Sequence, residues 1–568
     1  MLRLFETYRK RKAYSLEGMW DFKIDPLKEG IGEQWYKNFP IDSSSIVVPS
    51  CWNNEFGLYD YEGVAWYRRF FRISSDIVNL SFEGVTGQAM VYVDGNYIGE
   101  HYGGFTPFHL LVRDLAEGEH SLVVAVDNTH NDVDTIPLAK VDWFHYGGII
   151  RNVQAAELSK AWIKDYKIDY KLEEDLKNAD LSFTVHLESL RNNNYEGKLN
   201  ILIEDTLIYS EGVVCNKEGT IKVLSCPFKD IKLWNVGKPE LYRIRFELEG
   251  STGIVDDTSD RIGFRTVKIQ GRKLYINGEE TYLKGVCRHE EHPDWGFALP
   301  EKLMKKDIDI IKDMGGNAIR GSHYPNSRAF LDFCDEAGLL FWEEIPLWQY
   351  RERHFNNPLV LERSLTMLEE MIHRDYHHPS IIMWGVHNEV ETSCQAGFYA
   401  TKLFTDKVRS LDSTRLVTYA SFSPFNDLCF GLVDVISINK YYGWYEGNLE
   451  SWEEFLRTFK IKMEEDGYGD KPIIMSEFGA AGLYGDCTFE SPKWTENYQE
   501  KLLEYTLNLF RKDPAVIGSY IWQFADIRTA KECEMGRPRS FNNKGILNEY
   551  RKPKMAYWTV KKIYNRTD

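Results

Sequence analysis

The hydrophobic pattern of this chain changes character along its length. From about residue 14 to 158, short segments alternate apolar and polar positions between turn dipeptides: Ala65 to Ile73, Ala89 to Val93, Tyr97 to Gly99 and Ser121 to Val126. Period-two alternation belongs to strands with one buried face, and Asp94-Gly95 between two of them is a hairpin signal. The pattern predicts a jelly-roll-like β-sandwich over residues 1–158. Residues 159–268 repeat the all-β character with longer strands, Leu181 to Leu187, Lys198 to Ile203, Thr220 to Val223 and Tyr242 to Leu248. That length fits an immunoglobulin-like β-sandwich.

From residue 269 to the end, strands alternate with amphipathic helices, the signature of a parallel sheet. The strands are read at Tyr282 to Val286, Asn317 to His323, Leu339 to Ile345, Ile381 to Glu389, Leu416 to Ala420, Asp434 to Asn439, Pro472 to Glu477 and Val516 to Trp522. Helices are expected near 301–315, 327–337, 357–377, 397–411, 450–466 and 493–512, with none obvious after the fifth strand. Eight strands predict a C-terminal (β/α)8 TIM barrel, whose active face lies at the carboxyl ends of its strands.

Two of these strands carry the chemistry. Ile381-Ile382-Met383-Trp384-Gly385-Val386-His387-Asn388-Glu389 and Pro472-Ile473-Ile474-Met475-Ser476-Glu477 are apolar runs that end in glutamate where a turn residue would be ordinary. An ionisable group beside a buried strand is costly unless it has a partner or a task. Strands four and seven of a barrel face each other across its mouth, and a carboxyl pair at about 5 to 5.5 Å is what retaining glycoside hydrolysis uses. Bare spacing does not say which glutamate is acid and which nucleophile. His323, Asn388 and Asn439 gather at the same face, and Asn388 is placed to hold a sugar hydroxyl beside Glu389.

Composition narrows the partners. With 568 residues the chain exceeds one core; its formal net charge of −17 disfavours nucleic acid and anionic membrane surfaces. No apolar run reaches the roughly 20 residues of a membrane span. The start, Met1 to Lys12, is basic but is not followed by a signal-like apolar stretch, so a cytoplasmic location is expected. The 9 Cys are scattered and contain no C-x-x-C pairing, which fits neither a disulfide framework nor a zinc site. His289-Glu290-Glu291-His292 lacks the i, i+4 histidine spacing of a metal helix, and His373 with His377 fits a helix C-terminus. No metal and no cofactor is expected.

At this point the chain resembles glycoside hydrolase family 2, and within it the β-glucuronidases, over essentially its whole length. The glycine-rich and aromatic run at 91–108, Gly263-Phe264-Arg265 and Lys284-Gly285 are similar to the family's framework, and Ser322-His323-Tyr324-Pro325, His378-Pro379-Ser380, Asn388-Glu389 and Ser476-Glu477-Phe478-Gly479 to its active-site blocks. The resemblance implies Glu389 as acid/base and Glu477 as nucleophile. It further implies substrate contacts from Asn439, Tyr441 and Tyr445 in the sixth-strand block, from Trp522 on the sugar site's floor, and from Asp142 reaching in from the first domain. Asn542 and Lys544, in Asn542-Asn543-Lys544-Gly545, match the N-x-K motif that grips the substrate carboxylate, with Arg537 or Arg539 as the family's nearby arginine.

The expected substrate is thus a glucuronide or glucuronate-capped oligosaccharide, cleaved from its end, and a homo-oligomer is expected. β-Galacturonidase and β-galactosidase are the alternatives within the family; a non-catalytic carbohydrate-binding protein is the alternative outside it, disfavoured by the retained glutamate pair. The chain departs from common family text at Asn388-Glu389-Val390 and at Glu343-Glu344-Ile345-Pro346-Leu347-Trp348, and has no room for a long loop between Pro346 and the helix near 357. These departures bear on the aglycone.

Overall fold

The computed structural model describes residues 3–190, 194–216 and 218–566, without the side chains of Glu532, Glu534 and Met535; Met1 and Leu2 of the basic start lie outside it. The first sandwich packs a four-stranded sheet, Ala13–Ser15, Val153–Glu157, Ile77–Phe82 and Phe108–Arg113, on a six-stranded one that runs from Ser44–Val48 to Asn96–Tyr102. Its core is built by the inward positions, Trp20, Phe22, Tyr67, Leu80, Phe82, Val91 and Val124. The Asp94-Gly95 turn forms as expected, with Val93 opposite Asn96 and both turn residues at positive φ (48° and 76°), the backbone of a two-residue hairpin.

The second sandwich sets three strands, Ala161–Leu172, Ala179–Ser189 and Thr220–Phe228, against four, Thr206–Cys215, Tyr195–Ile203, Tyr242–Gly250 and Gly253–Ile262. Leu181, Phe183, Val185, Ile201 and Phe246 fill the space between. Phe264 belongs to this core, while the next residue, Arg265, donates to the carbonyls of Pro379 (2.6 Å) and Ile381 (2.5 Å). Gly263-Phe264-Arg265 is thus the pin between the sandwich and the start of the fourth barrel strand.

Three short strands, Val267–Gln270, Lys273–Ile276 and Glu279–Glu280, which the alternation did not reveal, form a small sheet before the barrel. Leu274 and Ile276 share a core cluster with Leu283, Trp342, Ile382 and Ile474 of the barrel strands. The barrel is closed: strands Leu283–Arg288, Ala318–Gly321, Leu340–Glu344, Ile381–Asn388, Leu416–Ser421, Ile436–Asn439, Ile473–Phe478 and Val516–Ile521 pair in parallel, the last with the first at Leu283↔Gly518. Every residue of all eight is buried except Lys284, as runs buried on both faces require.

The helices begin and end at local signals. Asn357 caps Pro358–Asp375 by accepting from the Leu359 amide, and Thr495 caps Glu496–Lys512 by accepting from Tyr498. After the fifth strand there are only two 3-10 turns, Pro424–Asn426 and Phe430–Leu432, gathered around Asp427, which accepts from Thr392, Tyr419, Ser421 and the Cys429 amide. One helix, Met555–Tyr564, follows the eighth strand and escaped the sequence reading, although its buried residues Ala556, Tyr557, Val560, Ile563 and Tyr564 keep the helical period.

The histidine motifs belong to domain contacts. Glu290 pairs with Arg151 (2.7 Å) and Glu291 accepts from Tyr146 (2.7 Å), both from the first sandwich. His377 contacts Asp260 at 2.7 Å and accepts from the Ile168 amide, and His373 lies 3.1 Å from Asp165, all in the second. Among the described residues Asp332, Asp335 and His378 lie close enough together to hold an ion. Asp332 is held by Arg3 (2.8 Å), however, and Asp335 by His378 (2.5 Å).

Candidate active site

At the carboxyl ends of the strands lies a cavity of 380 Å³, within the range of small-ligand sites. Glu389, Glu477, His323, Asn439, Tyr441, Tyr445, Trp522, Lys544 and Asp142 all line it. Larger clefts of 580 and 500 Å³ open on the sandwiches, beside Trp35 and beside Glu117. Neither brings together carboxylates from the ends of two barrel strands.

The two glutamates have different company. Glu477 leaves the seventh strand with each oxygen accepting a hydrogen bond, one from the Arg320 guanidinium (2.8 Å) and one from the Tyr441 hydroxyl (2.7 Å). Glu389 follows the fourth strand at φ +52°, a left-handed backbone that is costly for a residue with a side chain. It accepts only from neutral amides, Asn439 at 2.9 Å and Gln349 at 2.8 Å. Burial, with the charge of Glu389, raises the Glu477 carboxyl to about 8 against the opposing pull of Arg320 and Tyr441. The pair therefore keeps one proton near neutral pH.

Arg320, inside the second strand, ties the floor together. It donates to both oxygens of Glu344 (2.8 and 3.0 Å), to Glu477 and to the Asn388 side-chain oxygen (2.7 Å). Burial opposes the ionisation of Glu344, but Arg320 and His323 outweigh it and hold that carboxyl below its ordinary value. His323 lies 2.7 Å from Glu344 through Nδ1 and 3.8 Å from Glu477 through Nε2; burial lowers its pKa, so it stays neutral. Its ring stacks on Trp522 (5.0 Å between centroids) and meets Trp143 of the first domain (5.4 Å). The Asn388 amide nitrogen is buried without an acceptor among the described residues, but Asn388, expected to hold a sugar hydroxyl, is not among the residues that line the cavity.

One wall is cationic. The Lys544 side chain is buried, with its ammonium 2.7 Å from the Tyr445 hydroxyl and over the rings of Tyr445, Tyr441 and Trp444 at 4.8, 5.7 and 5.8 Å. No carboxylate of the described residues lies within ion-pair distance of it. Burial pushes its pKa down. Burial also pushes the Tyr445 phenol up, but Lys544 and Arg537 outweigh that and leave it below its ordinary value. Arg537 is the arginine at the pocket: it pairs with Asp142 (2.8 Å) and reaches Tyr445 (3.3 Å), whereas Arg539 is exposed and does not line the cavity.

Asn542, expected to face a ligand carboxylate, is buried behind Asp142 and donates its amide to it at 2.7 Å. Arg320, Trp143, Trp348 and Gln349 were not singled out beforehand. An arginine in the middle of an otherwise apolar strand was a legible signal for the first. Trp348 and Gln349 sit in an aperiodic loop that offers none.

Profiles described as "Glycosyl hydrolases family 2, sugar binding domain", "Glycosyl hydrolases family 2" and "Glycosyl hydrolases family 2, TIM barrel domain" match residues 13–158, 161–265 and 267–568. The chain belongs to glycosyl hydrolase family 2. Among family members, it is 30% identical to the β-glucuronidase of Homo sapiens, over 98% of this chain and 91% of that protein. It is 29% identical to that of Streptococcus agalactiae, over 98% and 96%. Among solved structures, a family 2 β-galacturonidase from Eisenbergiella tayi bound to galacturonate superposes with a TM-score of 0.91 at 33% identity, covering 100% of both chains. The β-glucuronidase from Ruminococcus gnavus in complex with D-glucuronic acid gives 0.87 at 28%, covering 100% and 99%.

Proposed function

We propose that this chain is a retaining, exo-acting β-glucuronidase. The observation that carries the reading is Lys544: a buried ammonium without a carboxylate partner, on the wall of the cavity that holds Glu389 and Glu477. An unpaired buried cation is costly, and a substrate carboxylate at the sugar's C6 removes that cost. Asp142 and Arg537 close the same side of the cavity, which favours a chain end over the middle of a polymer.

The proton of the carboxyl pair is assigned to Glu389. Arg320 and the Tyr441 hydroxyl stabilise negative charge on Glu477 better than two neutral amides do on Glu389. Glu389 gives its proton to the glycosidic oxygen while Glu477 attacks the anomeric carbon, forming a glycosyl-enzyme and releasing the aglycone. Glu389, now ionised, takes a proton from water, which displaces Glu477 and returns the sugar with its configuration retained.

The second reading is a β-galacturonidase, favoured by the 33% identity to the Eisenbergiella tayi enzyme against 28% to that of Ruminococcus gnavus. Lys544 serves either sugar, since the two uronates differ only at C4. Initial rates on aryl β-glucuronide, β-galacturonide and β-galactoside separate the possibilities. The glucuronide is expected to be fastest; a faster galacturonide selects the second reading, and a faster galactoside overturns both.

A further inference from the structure

Lys544 stands in a loop, and a lysine that must meet an anion at one place loses rotamer freedom unless its backbone is fixed beforehand. The residues on both sides of it are held by one carboxylate. Asp526 accepts from the Gly545 amide (2.9 Å) and from the Asn543 side chain (3.2 Å). Asp526 is itself held by Lys554 (2.8 Å), whose other two protons go to the carbonyls of Asn543 (3.1 Å) and Gly482 (2.6 Å). Gln499, from helix Glu496–Lys512, donates to the carbonyls of Lys544 (3.2 Å) and Gly545 (3.0 Å). Asp526, Lys554 and Gln499 are each 0% exposed and none lines the cavity.

The glycine after Lys544 is part of the device. A Cβ at Gly545 would lie 2.2 Å from the Asp526 amide nitrogen and 2.4 Å from the Leu547 carbonyl oxygen, so no side chain fits while the loop lies this close. Lys554 directly precedes helix Met555–Tyr564, so this C-terminal helix anchors the clamp.

We propose that the buried Asp526–Lys554 pair, together with Gln499, is the positioning unit for recognition of the substrate's anionic group, acting only through Lys544. This rests on the uronide reading above. A pair that merely held the fold together would affect every substrate and every background alike.

The test is a double-mutant cycle in the full chain, on whichever aryl uronide is hydrolysed faster. Asp526→Asn is expected to raise KM by about tenfold or more while kcat changes by less than about threefold. In a Lys544→Met background the same substitution is expected to change kcat/KM by less than about twofold, because the group it positions is gone. Lys554→Met is expected to repeat both results, with Lys554→Arg recovering part of the loss. Losses that multiply in the double variant, or a fall in kcat at unchanged KM, overturn the proposal and leave the uronide reading intact. Full kcat/KM in Lys544→Met alone overturns the uronide reading, and the proposal with it. Should Asp526→Asn not yield folded enzyme by circular dichroism, Gln499→Met, which spares the ion pair, decides the cycle by the same outcomes.

Discussion

Glu477, Glu389 and the arginine and asparagines around them stand on or just past the ends of barrel strands, where the parallel ladder fixes each backbone and hydrogen bonds fix each side chain. Lys544, Arg537, Tyr445 and Asp142 stand on loops, one of them from another domain, and face one another across the same cavity. In the proposed mechanism the first region holds charge at a reacting carbon and the second holds an anion at a distance from it. The difference teaches where to expect separable effects. Damage to the strand ends should abolish turnover of any glycoside, whereas damage to the loops should change which glycoside is bound.

The largest effect is expected at Glu477. Glu477→Ala removes the attacking group and should lower kcat on the order of 10⁴-fold or more, with the circular dichroism spectrum unchanged. Mass spectrometry of the enzyme trapped with a 2-fluoro uronide should place the label on Glu477, and a label elsewhere would end this assignment.

Next comes Glu389. General acid catalysis contributes about 10² to 10⁴-fold, so Glu389→Ala should lose about that much on a substrate with a poor leaving group. In the glycosylation step it should lose far less on one whose leaving group departs unaided. Equal loss across leaving groups, read by pre-steady-state kinetics, would remove Glu389 from the acid's role.

The loop region should respond differently. Lys544→Met is expected to lower kcat/KM on the aryl uronide by about 10- to 150-fold, from a charge-assisted hydrogen bond worth about 1.5 to 3 kcal/mol. Any weak activity on the matching neutral glycoside should scarcely change, since that sugar has no charge to lose. Parallel losses on both would make Lys544 structural and erase the division between the two regions.

The same division explains what was legible in the sequence. Barrel strands such as Ile381–Asn388 show as unbroken apolar runs because both faces are buried, and a glutamate at the end of such a run stands out for the same reason. The meeting of two carboxylates at one cavity was therefore readable from two strand ends. The loops carry no period: Gln349 reaches Glu389 from a residue at φ +59°, and Asp526 and Lys554 read as ordinary loop charges until folding buries them together. Arg537 and Arg539 are two residues apart, and only the chain's path, with Arg539 at φ +57°, decides which one meets Asp142. Lys544 was reached through the resemblance of its motif; bare spacing gave a polar loop.

Two tyrosines four residues apart give the finest comparison, because each belongs to one region. Their rings lie 5.2 Å apart, yet the Tyr441 hydroxyl donates to Glu477 and the Tyr445 hydroxyl meets Lys544. The hydrogen bond from Tyr441 favours the ionised form of Glu477, the form that must attack, so its removal lets Glu477 take up a proton at higher pH. With the pair's proton on Glu389, proton uptake by Glu477 removes the nucleophile, so Glu477 sets the acidic limb of the rate. The rate should therefore fall on the acid side, and in Tyr441→Phe that fall should move to higher pH by roughly one unit, as for a hydrogen bond of about 1 kcal/mol. Tyr445→Phe should leave the acidic limb where it is and instead raise KM for the uronide by a few fold. If Tyr445→Phe shifted the limb as far as Tyr441→Phe, the cationic wall and the carboxyl pair would titrate as one unit, and the separation of binding from chemistry would not hold.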